Sequence, residues 1–255
     1  MKNFQIGKSG IEVPFLGMGT WAIGGGAWWG DNDDSLSVKA IQTAVEQGIR
    51  WIDTAPIYGL YHSEEVVGEA MKHIDRDKVV LSTKCGLEWR HETPVLHKVV
   101  DGVTVYRDLS AQSIIEDVED SLLTRRIEKQ LLPTCKELGV SVQAYSPLEQ
   151  GLLTGKVTMD TTYPEGSTRN SNPNFQPARR AQALAMLNNW QDLTEKYHCT
   201  MAQLVIALTA RMVPGLFVLC GARTPEQVTD NAGAMHIQLD GADAVRMKWD
   251  VDSIS

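Results

Sequence analysis

No stretch of the sequence approaches 18 consecutive apolar residues, and the opening MKNFQIGKSG lacks the apolar core of a signal peptide. Neither a membrane-spanning helix nor a secretory leader is therefore expected. Basic charge is in short supply: 24 Lys and Arg against 32 Asp and Glu leave a net charge of −8. That balance argues against nucleic acid or an anionic membrane surface as the main partner, and any anionic ligand must be met by a local cluster of donors. Cysteine is sparse too. Cys85, Cys135, Cys199 and Cys220 are far apart and have neither CxxC nor Cys/His metal spacing. No metal site is expected, and the thiols read as free and reduced, as in a cytosol; a cytoplasmic protein is the default. No Pro/Ser/Gly linker or charge block divides the 255 residues, 43% of them hydrophobic, so residues 1–255 read as one domain with a continuous core. Oligomeric state is not legible.

What is present is alternation. Phe4–Ile6 and Glu12–Val13 flank a Lys-Ser-Gly turn and predict an opening hairpin. Strands are expected at Phe15–Gly19, Ile49–Asp53, Val79–Thr83, Val140–Tyr145 and Leu216–Cys220. Helices are expected at 35–47, with Ser35 as N-cap and Gly48 as stop, and at 63–74, with Ser63 as N-cap. Others fit 110–124, 178–197 and 200–212, and a last one starts near Thr224-Pro225-Glu226. The segment from Glu88 to Asp108 has no clear period and reads as a mobile loop.

Strands separated by helices predict a parallel sheet, either doubly wound or a (β/α)8 barrel. Gly17-Met18-Gly19-Thr20-Trp21-Ala22 matches a GxGxxG/A dinucleotide fingerprint after a strand, but that motif requires a helix to start at once. Here Ile23-Gly24-Gly25-Gly26-Ala27-Trp28-Trp29-Gly30 follows instead. The barrel reading is preferred, with one difficulty: only five of its eight parallel strands are present. The helix ending at Leu122-Leu123-Thr124 runs into a second helical stretch from Arg125-Arg126 with no strand between. At about 30 residues per βαβ unit, roughly 70 residues are absent there. A five-stranded barrel cannot close with ordinary tilt and stagger.

Three polar groups fall at or just past strand ends: Asp53, Tyr58 and Lys84. Barrel enzymes build their sites on that face. A lysine beside a carboxylate is also an ordinary structural ion pair, and each residue alone favours that reading. Together they form a proton-donor system. A tyrosine titrates near about 10, and each tenfold gain in acidity corresponds to about 1.4 kcal/mol, within reach of one close, poorly solvated ammonium. Lys84 can supply that charge and Asp53 can hold it. Such a tyrosine can protonate an oxyanion as it forms, and hydride addition to a carbonyl forms one. Tyr145-Ser146-Pro147-Leu148 and the loop Gly151-Leu152-Leu153-Thr154-Gly155-Lys156 suit a pyrophosphate, although GLLTGK is too short for a Walker A motif and an ordinary surface loop reads the same way. Gly221 and Arg223 precede a helix N-terminus, the geometry of an anion site.

DTAPIYG, STKCG, QAYSPLEQGLLTGK and GARTPEQVTDN, in this order, resemble the signature blocks of the aldo-keto reductases, most closely the bacterial branch that includes methylglyoxal-type reductases and the potassium-channel β-subunits. The resemblance covers essentially the whole chain. It implies a (β/α)8 barrel binding NADPH, or NADH, across its C-terminal mouth, and it implies Tyr58, Asp53 and Lys84 as catalytic residues. Gly19, Thr20, Trp21 and Asp53 then line the nicotinamide end, and Tyr145 stacks on the ring. Ser146, Pro147, Leu148, Gly151 and Lys156 correspond to the pyrophosphate loop. Gly221, Arg223, Gln227, Asp230 and Asn231 correspond to the adenosine end. Arg223 can meet a 2′-phosphate, favouring NADPH; stacked on adenine it would serve either cofactor. Trp21, Trp28, Trp29 and Trp89 would rim the mouth, as an apolar wall for substrate or as loop packing.

One part of the pattern has no counterpart. The family's catalytic histidine, at the end of its fourth strand, and the Ser-Asn and Gln residues that hold the carboxamide belong to the segment absent between Arg125 and Arg126. None of His62, His73, His91, His97, His198 and His236 sits in the matching motif. The resemblance implies reduction of small aldehydes or ketones, methylglyoxal-like dicarbonyls among them; the other reading is a nucleotide-sensing subunit of low turnover, like the channel β-subunits. Intact-mass spectrometry of the purified protein is expected to give 28.2 kDa. A mass several kDa greater would mean that the missing strands are present after all.

Overall fold

The computed structural model describes residues 3–84, 87–88, 95–100, 102–107, 143–212 and 215–254. The expected helix at 110–124, the junction at Arg125/Arg126, the first half of the strand expected at Val140–Tyr145, and Cys85, Trp89, His91 and Cys135 lie outside these residues. The opening hairpin forms as expected. β1 (Asn3–Gln5) and β2 (Glu12–Pro14) pair antiparallel, turning through Gly7 and Gly10 at positive φ.

β3 (Leu16–Gly19), β4 (Trp51–Asp53) and β5 (Val80–Ser82) are followed by β6 (Leu87–Glu88), β7 (Val95–Val100) and β8 (Val103–Arg107), then β9 (Gln143–Tyr145) and β10 (Phe217–Gly221). Five of them form a parallel sheet in the order β5-β4-β3-β10-β9. The first parallel strand therefore lies beside the last. That pairing is the closure of a barrel; in a doubly wound sheet the first strand is flanked by its second and fourth. Among the described residues the ring is open between β5 and β9, the place where the sequence lacks its strands. After β3 the chain makes only single helical turns, Trp21–Gly24 and Gly26–Trp29, before the first long helix. The dinucleotide fingerprint is thus a coincidence of glycines.

Side chains alternate across the sheet, as the period of two requires. Leu16, Met18, Ile52, Val218 and Cys220 point outward into the main cluster beneath the helices. Trp51, Phe217 and Leu219 point inward, with Val80 and Tyr145 against them. Gly17 makes room for them: a Cβ there would lie 2.7 Å from Leu219 Cδ2.

The outer layer comprises α1 (Asp34–Glu46), α2 (His62–Met71), α3 (Pro177–Asn188), α4 (Gln191–Lys196), α5 (Met201–Met212), α6 (Pro225–Gly233) and α7 (Gly241–Ile254). Two expected caps are corrected. Asp33, not Ser35, caps α1, its carboxylate accepting from the Leu36 amide at 3.1 Å. Ser63 does not cap α2; the residue before that helix is Tyr61 in the left-handed region, and Ser63 is fully buried. The helix expected at 178–197 is two, because Trp190 turns its ring fully into the core and donates Nε1 to Asp250 on α7 at 2.8 Å.

The segment read as a mobile loop is also corrected. β8 pairs with both β6 and β7, making a three-stranded antiparallel sheet in which Val100 pairs with Val103 across the end of the hairpin. Asp-Gly between alternating apolar runs is a strong hairpin signal. Val105 is fully buried against Ala55 and Ile57, with Trp28, Tyr58, Leu60 and Leu87 around them, so this sheet packs on the turn that follows β4.

That turn is clamped from the other side by backbone alone. A Cβ on Gly24 would lie 2.6 Å from the Tyr58 carbonyl carbon, and one on Gly59 would collide with the Gly24 carbonyl. Gly59 also has φ of 68°, and Leu60 and Tyr61 follow at 53° and 79°. Two glycines thus allow the close approach that fixes where Tyr58 stands. Gly59→Ala is expected to cost roughly 1–3 kcal/mol and to lower Tm in a thermal melt. Gly68→Ala, on α2 with open space around its Cβ, is the matched control and should be neutral or mildly stabilising.

Candidate active site

Parallel pairing of β4 with β5 sets Asp53 opposite Ser82 on the inner face. Asp53 is 4% exposed, so its carboxylate must find partners inside the protein. Oδ2 accepts from Lys84 Nζ at 2.5 Å and Oδ1 from the Ser82 hydroxyl at 2.7 Å. Lys84 donates also to the Thr54 carbonyl at 3.1 Å and to the Tyr58 hydroxyl, with Nζ 4.9 Å from the Tyr58 ring centroid. Its three N–H bonds therefore meet three oxygens.

Burial disfavours the ammonium, but attraction to Tyr58 and Asp53 and hydrogen bonds to both outweigh it, raising the Lys84 pKa above the ordinary lysine value. Because the folded value is raised, the stabilisation is complete below the ordinary pKa and is lost as pH rises through the higher one. Lys84 is therefore charged throughout the neutral range.

The backbone of Asp53 is held separately. Thr20 donates to the Asp53 carbonyl through its amide and its hydroxyl, both at 3.0 Å. Ser63 donates to Thr20 Oγ1 at 2.7 Å, and Thr54 Oγ1 lies 3.2 Å from Ser63 Oγ. The misassigned cap is thus part of a buried hydroxyl chain.

Trp21 stands at the centre of an aromatic group, with ring centroids 5.7 Å from Trp28, 5.3 Å from Trp29 and 6.3 Å from Tyr58. Lys98 on β7 lies 4.1 Å over Trp28 and Arg169 lies 4.9 Å over Trp29. Trp21, Trp28 and Trp29 thus cluster beside Tyr58, and the hairpin packs against the same group; Trp89 lies outside the described residues. His62 on α2 is turned to Asp34, with Nε2 at 3.0 Å from Oδ1.

The segments expected to hold a dinucleotide converge on the same strand ends. Gly19 and Gly221 are paired neighbours; a Cβ on Gly19 would meet nothing within 4 Å and one on Gly221 only the Gly19 carbonyl at 3.8 Å. Together they form an open floor beside Asp53. Tyr145 shares the inner face, with Ser146 next to it at φ of 51° and Pro147 buried. The Gly151 loop is packed down rather than open. Glu149–Thr154 is a kinked 3-10 run whose Leu152 and Leu153 are fully buried, with Gly151 at φ of 99° between the two halves. Leu148 packs beside it and Lys156 is exposed beyond.

At the far end Thr224 caps α6, and the Gln227 side chain accepts from the Arg223 amide at 2.8 Å. Arg223 Nη1 donates toward the Trp29 and Asp31 carbonyls at 3.4 and 3.3 Å. Asn231 donates to the Gly221 carbonyl at 3.4 Å, whereas the Asp230 carboxylate faces Thr200 and Gln203 on the α5 side. Cys220 lies on the outer face, its thiol pushed up to about 12 by burial first and the Asp230 charge second, so it is no nucleophile.

Arg169 was not singled out from sequence. Its Nε donates to the Gln150 carbonyl at 2.9 Å, and its pKa is lowered by burial and then by the charge of Arg223. The half-buried guanidinium lies within reach of the like charge of Arg223. No local motif marks it; only the fold brings it to the QGLLTGK segment.

A model of the Aldo/keto reductase family matches residues 15–124 and 114–248. The NADH-specific methylglyoxal reductase of Escherichia coli (strain K12) is 33% identical over 321 aligned positions, covering 97% of this chain and 98% of the relative. The aldo-keto reductase YhdN of Bacillus subtilis (strain 168) is 31% identical, with coverage of 89% and 87%. The solved glycerol dehydrogenase AKR11B4 from Gluconobacter oxydans superposes with a TM-score of 0.79 at 27% identity, covering 99% of this chain and 94% of that one. An alignment of 321 positions against 255 residues means that at least 66 positions have no residue in this chain. The family model, too, matches in two parts that meet at 114–124. Both agree with a segment absent near Arg125/Arg126. With its first strand paired to its last, its site at the strand ends and its family match along nearly the whole length, the chain belongs to the aldo/keto reductase family and has the family's (β/α)8 fold with strands missing.

Proposed function

We propose that residues 1–255 act as one aldo-keto reductase domain that reduces small aldehydes or ketones to alcohols at the expense of NADPH, with NADH also accepted. The observation that carries this reading is the hydrogen-bond direction at Lys84. An ammonium only donates, so the Tyr58 oxygen accepts from it, and the phenolic proton is left to donate outward. A substrate carbonyl oxygen set there would receive that proton as negative charge develops on it. Lys84 stabilises the phenolate left behind, and Asp53 keeps Lys84 aimed. The Trp21, Trp28 and hairpin wall excludes water from the reacting carbon and favours small, apolar-faced carbonyls.

The residues present fit a dinucleotide. The floor at Gly19 and Gly221 is open, and Trp21 Nε1 and Trp29 Nε1 are buried donors with no partner among the described residues. When bound, the reduced nicotinamide supplies a hydride to the carbonyl carbon. In this reading Thr20, Trp21 and Tyr145 flank the nicotinamide end, Ser146 to Leu148, Gly151 and Lys156 face the pyrophosphate, and Arg223, Gln227 and Asn231 serve the adenosine end, joined by Arg169, while the Asp230 carboxylate is engaged by Thr200 and Gln203 instead. The Escherichia coli relative is named NADH-specific; here the choice turns on whether a 2′-phosphate draws Arg223 from the Trp29 and Asp31 carbonyls. Without the family histidine, carbonyl orientation rests on Tyr58 alone, and turnover is slow for the family.

Loss of nicotinamide absorbance with methylglyoxal and NADPH is the direct assay. Tyr58→Phe is expected to abolish turnover while leaving cofactor affinity within about twofold, read by quenching of tryptophan fluorescence. Tight cofactor binding with no turnover on several carbonyls would overturn the enzyme reading. Arg223→Ala is expected to raise KM for NADPH about tenfold and KM for NADH much less; equal effects on both would mean that Arg223 stacks on adenine and does not read the 2′-phosphate.

A further inference from the structure

Asp53 has two oxygens, and the proton-donor system accounts for one of them. The other accepts from Ser82, a β5 residue that the sequence presents only as part of a strand. Ser82 is itself bound: Trp51 Nε1 donates to Ser82 Oγ at 2.8 Å. An indole N–H cannot accept, so the serine oxygen is the acceptor there, and its own proton is free for Asp53 Oδ1. The chain of donation then has one direction, from Trp51 to Ser82 to Asp53, with Lys84 donating to Asp53 from the opposite side.

Trp51 cannot drift. It is 2% exposed, and its ring packs edge-on against Phe217 at 5.1 Å. Both residues stand on the inner face in paired register, Trp51 opposite Val80 and Asp53 opposite Ser82. Around Asp53 the charged and titratable groups among the described residues are Lys84 beside it, Tyr58 beyond Lys84, and Glu64 on α2, which accepts from the Thr83 hydroxyl at 2.7 Å. Ser82 is thus the one neutral donor to the carboxylate side chain among the described residues.

We propose that Ser82, oriented by the Trp51 indole, is a positioning residue that locks the Asp53 carboxylate so that Lys84 stays aimed at the Tyr58 hydroxyl. The inference rests on the proposed role of Tyr58. A carboxylate held at one oxygen can turn, carrying Lys84 away from the phenol.

The test is Ser82→Ala in the full chain, assayed with methylglyoxal and NADPH. We expect kcat to fall about tenfold or more with KM for NADPH unchanged. Ser82→Thr, which keeps the hydroxyl, should restore it. Trp51→Phe, which keeps a ring but removes the N–H, should lower kcat by less, and it provides the reading if Ser82→Ala does not fold. Wild-type kcat in Ser82→Ala would overturn the inference. So would a lowered kcat with no rescue by threonine, since that is mere structural damage.

If turnover is too slow to profile, the Tyr58 phenol can be titrated by tyrosinate absorbance, wild type minus Tyr58→Phe. Ser82→Ala should move that titration to higher pH, and an unchanged curve overturns the inference. Should Tyr58→Phe itself turn over at the wild-type rate, the proposed function fails. Should Tyr58→Phe be inactive and Ser82→Ala normal, only the role of Ser82 fails.

Discussion

The ion pair between Asp53 and Lys84 is the constraint that fold and site share. A carboxylate buried at the end of a strand costs several kcal/mol in lost hydration unless charge and hydrogen bonds replace the water. At Asp53 the replacements come from β5 and the residue that follows it two positions on, so they exist only if β5 lies parallel to β4 with Ser82 opposite Asp53. A slip of one residue would turn Ser82 outward and bring a neighbouring side chain inward. Leu81 would then face the charge. Folding the sheet correctly and assembling the Asp53–Lys84–Tyr58 cluster are therefore one event. The pair is also poor evidence for stability as such, because its Coulombic gain mostly offsets desolvation; what it specifies is register and direction.

Around that pair the backbone is fixed by small residues. Thr20, Ser63 and Thr54 form a buried run of hydroxyls that ties β3, α2 and the end of β4 together at the Asp53 carbonyl. Gly24 and Gly59 bring two backbone segments into a contact no Cβ would allow. Leu60 and Tyr61, both at positive φ, carry strain that the surrounding packing must hold. The hairpin closes the last side by burying Val105. Tyr58 thus stands on an irregular turn with its position determined on every side, which gives a loop residue the precision otherwise found on a strand.

Much of this was legible from the chain. Parallel strands showed as short apolar runs with helical stretches between them, and the missing alternation after Leu122-Leu123-Thr124 located the gap. Asp53, Tyr58 and Lys84 could be grouped because all fall at or just past strand ends, a rule of the fold that needs no contact map. What failed depended on distant partners. Ser63 has the chemistry and place of an N-cap, but Thr20, 43 residues earlier, takes its hydrogen bond. Ser82 and Trp51 look like strand filler until their partners are known to lie 29 and 31 residues away. The break at Trp190 required Asp250 on the last helix. The hairpin is different. Asp101-Gly102 and its flanking alternation were in view, and the error was to weigh the length of the segment above its turn.

The missing strands divide the family's catalytic parts unequally. Every described residue of the proton-donor chain sits on β3, β4, β5 or the turns after them, and the glycine floor on β3 and β10. These strands are contiguous in the sheet, so their mutual pairings do not need the absent ones. The family histidine, by contrast, belongs to a strand that would follow β5. On the proposed reading, the chain keeps the groups that deliver a proton and lacks the histidine that would share in orienting the acceptor. Since orientation and proton donation both act on the same carbonyl oxygen, their loss is not additive. In that reading, what stabilisation of the transition state remains comes mainly from the Tyr58–Lys84–Asp53 line. Asp53 Oδ1, and the Ser82 hydroxyl that holds it, would then matter more in this chain than in one whose acceptor is gripped from both sides.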